Sequence, residues 1–121
     1  MPLLSKLFNS DPAFRKCLEQ DAAHIAPGAR GYPVACIQFA VVILDGAKIA
    51  ALELSGASYG PSTAEAVLAY KRKRKIINLS YQTTADAIVG KMTIARLDAD
   101  MRLREAIAKA AGRNAEFEFS A

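Results

Sequence analysis

Tyr59-Gly60-Pro61-Ser62-Thr63-Ala64-Glu65-Ala66-Val67 carries a template that returns at Val89-Gly90-Lys91-Met92-Thr93-Ile94-Ala95-Arg96-Leu97. Both read apolar, Gly, two spacers, Thr, three spacers, apolar, and a degenerate first copy is Gly31-x-x-Val34-x-x-Ile37. The glycines at 31, 60 and 90 stand 29 and 30 residues apart. Each precedes a run with helical periodicity, at a point where a loop turns into a helix and a residue without Cβ is favoured. Thr63 and Thr93 fall in the first turn, where a hydroxyl can bond exposed helix-start groups. Three loop-then-helix units of similar size predict a compact three-helix bundle.

The flanking patterns support three main helices. Pro33 can open the first, and Val34, Ile37, Val41 and Leu44 form an apolar stripe that Asp45-Gly46 ends. The second runs from about Pro61 into the basic run at 71–75, with Ala66, Val67 and Tyr70 inward and Ser62 with Glu65 at capping-box spacing. The third runs from near Lys91 to Ala111, with Ile94, Leu97, Met101 and Ile107 inward and Gly112 as its stop. Asp98 is expected to pair with Arg102 at i, i+4. A short helix is expected after Asp11-Pro12, with Phe14, Cys17 and Leu18 on one side. Lys48 to Leu54 can make one or two further turns. Ala115-Glu-Phe-Glu-Phe-Ser120 alternates at period two and reads as a frayed or partner-dependent tail.

These blocks resemble the peptidoglycan-binding domain family found beside catalytic domains in bacterial cell-wall hydrolases. The residues that carry the resemblance are Gly31-x-x-Val34-x-x-Ile37-Gln38, then Tyr59-Gly60-x-x-Thr63-x-x-Ala66-Val67-x-x-Tyr70, then Val89-Gly90-x-x-Thr93-x-x-x-Leu97. The match covers roughly residues 30 to 98, over half the chain. It departs from the family pattern in a lengthened first connection, in the basic and polar second connection, and in Lys71, which stands where the family usually has Gln. The resemblance implies an all-α, compact three-helix bundle of peptidoglycan-binding-domain type, with an extra N-terminal helix and a long C-terminal helix. The expected organisation is an N-terminal helix and loop over 1–29, the peptidoglycan-binding-like domain over 30–112, and a C-terminal tail over 113–121.

By the same resemblance the function is non-catalytic binding of cell-wall peptidoglycan, through its glycan strand or stem peptide, targeting or anchoring a partner to the wall. Such a ligand offers hydroxyls, amides and carboxylates, so a groove needs hydroxyl and amide partners, a cation and an apolar wall. The helix-start loops supply Tyr59, Ser62, Thr63, Lys91 and Thr93, with Tyr70 and Lys71 as outer members. The same residues have a purely architectural reading, in which the threonines shape helix starts and the tyrosines fill the core. Lys71 and Lys91 stand out as ligand candidates because core packing does not require a cation.

Composition narrows the alternatives. The chain has 121 residues, 52% of them hydrophobic and 23% charged, which suits one small globular core. A lone histidine, His24, and two cysteines exclude zinc-finger ligand sets and leave little room for a His-based triad. No enzyme activity, metal or cofactor is expected. Cys17 and Cys36 read as two buried thiols rather than a disulfide. The longest apolar run, Phe39 to Leu44, is too short to span a bilayer, so no membrane partner is expected. No signal-peptide pattern opens the chain, which implies synthesis in the cytoplasm. Its site of action is then the wall or periplasm after non-classical export, or else the cytoplasm itself.

The net charge of +4 permits anionic partners. Lys71-Arg-Lys-Arg-Lys75 reads as a solvated helix end or as a patch for acidic polymers or nucleic acid, although five consecutive helical residues cannot share a face. No aromatic interleaving accompanies it, which argues against nucleic acid. The alternative function is a protein-interaction adaptor on the same fold, bound for example to an exported effector or secretion component. Phe117 and Phe119 of the tail would then add to a partner edge.

Overall fold

A computed structural model describes residues 3–9, 12–19, 25–76 and 86–112. The side chains of Cys17 and Leu18, His24 and the tail over 113–121 lie outside the described residues. Among those described there are six helices, no strand and two isolated bridges. The helices are α1 (Lys6–Asn9), α2 (Pro12–Glu19), α3 (Tyr32–Asp45), α4 (Ala51–Gly56), α5 (Pro61–Lys73) and α6 (Lys91–Ala110). The all-α expectation holds, and the three long helices start where the glycines place them. Gly31, Gly60 and Gly90 are the residues that precede α3, α5 and α6.

The helix α3 is apolar nearly all round and is correspondingly central, burying Val34, Cys36, Ile37, Ala40 and Val41. Cys36 is a buried thiol. Gly46 ends the helix in the left-handed conformation, φ 64°, and its N–H donates to the Val42 carbonyl. The helices α5 and α6 both pack on α3, while α1 and α2 lie against α6. Ile94, Leu97 and Met101 are buried as the spacing predicts, but Ile107 is 58% exposed and Ala108 is buried instead. The reason is helical geometry. At about 100° per residue, position 108 returns close to the angle of Ile94 and position 107 does not.

Two features had no local sequence signal. The first is α1, whose backbone N–H groups are bonded by carboxylates of α6. Leu4 and Ser5 donate to Asp98 and Lys6 and Leu7 to Glu105, at 2.8–3.2 Å. Asp98 thus serves α1 rather than the expected partner Arg102. The second is the meeting of the loops before the long helices. Ile25 and Val89 exchange backbone hydrogen bonds, Gly28 N–H donates to Tyr59, Tyr59 N–H to Ala29, and Gly31 N–H to Ala57. Segment 25–31 therefore ties the start of α5 to the start of α6. Leu3, Leu7, Phe8, Phe14 and Ile25 share one core with α3, α5 and α6, so the core runs across the boundary expected at residue 30.

Candidate functional site

The helix-start loops meet, yet most of the candidate residues they carry turn inward. Tyr59 is 2% exposed, and its hydroxyl donates to the Ala87 carbonyl. Burial, reinforced by the Asp86 charge, pushes its phenol well up. Thr63 is fully buried and accepts a hydrogen bond from Gln38 Nε2 at 3.0 Å. The same Gln38 nitrogen donates to the Glu53 and Ser58 carbonyls, so one buried amide joins α3, α4 and α5. Thr93 is buried in the matching place at the start of α6.

Tyr70 and Lys71 are core members too. The Tyr70 hydroxyl donates to Asp100 Oδ2 at 2.7 Å, and the Arg74 guanidinium lies 3.8 Å from the centre of its ring. Arg74 donates as well to Asp100 and, through two nitrogens, to both oxygens of Asp45. Asp100, desolvated but held by Tyr70, Arg96 and Arg74, has its carboxyl pulled below the usual range. Lys71 is buried, with Nζ 2.6 Å from Asp86 Oδ1 and 2.9 Å from the Ile88 carbonyl. The idea that packing leaves this cation free for a ligand is corrected by those contacts. The basic run is accordingly split, since Arg72, Lys73 and Lys75 are exposed while Lys71 and much of Arg74 are not.

Ser62 and Lys91 remain accessible. Ser62 is half-buried and stands in the first turn of α5, not at its cap, so the capping-box expectation fails. The cap comes from α4. Glu53 accepts from the N–H groups of Gly60, Ser62 and Thr63 at 2.8–3.1 Å and from the Ser62 hydroxyl at 2.7 Å. Ser62 Oγ in turn accepts from the Ala50 N–H at 2.9 Å. Lys91 is exposed at the first position of α6.

Beside Ser62 lies an open cleft of about 320 Å³ between the α3–α4 connection and α5, lined by Asp45, Ala47, Lys48, Ser62, Glu65, Ala66 and Ala69. Its floor is alanine methyl and its rim holds one cation and two carboxylates. Arg74 already engages Asp45, whereas neither Lys48 nor Glu65 is held in an ion pair among the described residues. Sequence reasoning gave Glu65 only a capping-box role and Lys48 none, because only the packing of the α3–α4 connection against α5 puts both on one cleft. Among the described residues no cluster of His, Cys, Asp and Glu could hold a metal ion. Comparison with protein-family models, curated proteins and solved structures found no match for this chain.

Proposed function

We infer that the chain is a non-catalytic binding module for bacterial cell-wall peptidoglycan, and that the stem peptide is the part it grips. The observation that carries this reading is the cleft beside Ser62. Lys48 supplies a charge for a peptide carboxylate, Glu65 one for an amine, and the alanine floor suits short aliphatic side chains. The resemblance of the three glycine-led blocks to wall-binding domains supports the same ligand class. Ser62 is the member of the original candidate set that lines this cleft, and Lys91 is a further exposed cation available to the polymer.

Co-sedimentation of the full chain with insoluble peptidoglycan sacculi tests it, at about 50 and about 150 mM salt. Retention at both salts is expected, with loss in Lys48→Ala and Glu65→Ala and a smaller decrease in Lys91→Ala. Absence of retention sinks the reading. Retention that vanishes at the higher salt and ignores both cleft variants reduces it to adsorption by charge.

A further inference from the structure

The helix α6 sorts its side chains by side. Ile94, Leu97, Met101 and Ala108 face the core. Its carboxylates are consumed by contacts within the fold, Asp98 and Glu105 by the amides of α1 and Asp100 by Tyr70, Arg74 and Arg96. The outward side carries Met92, Ala99, Leu103, Ala106, Ile107 and Ala110, all exposed, and Leu103 and Ile107 are 63% and 58% exposed. At about 100° per residue, Arg102 and Lys109 fall along one edge of this stripe and Arg104 along the other, while Arg96, paired with Asp100 at 3.1 Å, lies in line with the stripe near its start. The accessible surface of α6 is thus an apolar seam between two basic edges, roughly 27 Å long at 1.5 Å per residue.

We propose that this face docks an amphipathic helix of a partner protein whose apolar seam is bordered by carboxylates. Charge selects the occupant. A second copy would bring basic edge against basic edge, whereas acidic borders meet Arg102, Arg104 and Lys109 with opposite charge. The alanines favour a helix over a lipid surface. They offer a bilayer little apolar area, but let another helix approach closely while its larger side chains seat between Leu103 and Ile107. The stripe is distinct from the wall-binding cleft, and none of its residues lines that cleft.

The test uses the full chain and two fluorescent synthetic helical peptides of about 20 residues, long enough to cover the face. One has leucine at the a and d heptad positions and glutamate at e and g, and its twin carries lysine at e and g. Anisotropy should give the acidic peptide an affinity at least about tenfold above that of its twin. Leu103→Asp and Ile107→Asp should each weaken it by about tenfold or more, with unchanged circular dichroism melts because both sites are exposed. Arg102→Ala combined with Lys109→Ala should flatten the salt dependence. Equal or absent binding of the two peptides overturns the proposal, as does indifference to Leu103→Asp. Sedimentation with vesicles of equal parts phosphatidylglycerol and phosphatidylcholine overturns it if Leu103→Asp abolishes that binding and the peptides do not bind. A concentration-dependent dimer abolished by Leu103→Asp overturns it too. Leu103→Asp should still co-sediment with sacculi, so failure of the wall reading and failure of this one are told apart.

Discussion

Glu53 does for α5 what a capping side chain of its own does for most helices. The first N–H groups of a helix have no partner within it, and its positive end favours a carboxylate. Desolvation pushes the Glu53 carboxyl up, but hydrogen bonds from the side chains and amides of Ser62 and Thr63 outweigh it and hold the value at about 2, against an ordinary 4.5. A depressed carboxyl contributes stability above its unfolded value and loses it as pH falls towards the folded one. Glu53→Ala should therefore lower the urea midpoint at neutral pH, and the gap from the parent should close between about pH 4.5 and about pH 2. Gly60 belongs to the same device. Its backbone is extended, φ −99°, so conformation does not demand glycine, but a Cβ there would sit 2.7 Å from Glu53 Cδ. Gly60→Ala should cost about 1–3 kcal/mol. In a double-mutant cycle, much of that cost should vanish in the Glu53→Ala background, whereas additivity would refute the link. The repeat marks Gly60 as special, yet its reason lies in a side chain seven residues upstream.

Along α5 the periodicity held more information than the charge. Thr63, Ala66, Val67 and Tyr70 define the inward stripe, and the next position of that stripe is Lys71. The helix puts a cation in the core because Asp86 and the Ile88 carbonyl arrive from the approach to α6 to meet it. An ion pair in such a place adds little beyond a well-packed apolar residue, but breaking it from one side strands a charge. Asp86 keeps about a third of its side chain in water, 36%, which moderates the cost. Asp86→Ala should thus destabilise by about 1–3 kcal/mol, while Lys71→Met should stay within about 1 kcal/mol of the parent. Chemical denaturation of both single variants and the double variant checks this. A Lys71→Met loss as large as that of Asp86→Ala would mean the pair itself is strongly stabilising.

For the molecule as a whole, the N-terminal segment is a structural member of the core. Phe8 and Phe14 are fully buried and meet edge to face, ring centres 4.9 Å apart. Phe8→Ala should cost about 3–5 kcal/mol, a large part of the roughly 5–15 kcal/mol that holds a domain folded. A thermal melt that barely moves would make this segment an appendage. The three long helices, their glycine starts, the stop at Gly46 and most of the core were legible in the sequence alone. They follow from local rules, in which each helical residue finds its backbone partner within four positions and side chains repeat at 3.6. Tertiary structure alone decided what the polar residues do. It sent Asp98 and Glu105 to α1, Glu53 to α5 and Lys71 to Asp86, and it put Lys48 and Glu65 on the lining of one cleft. The partner of a polar side chain is whichever group the packed helices bring within about 3 Å. Positions 5 and 98 meet across the chain in that way, and no local window of sequence spans them.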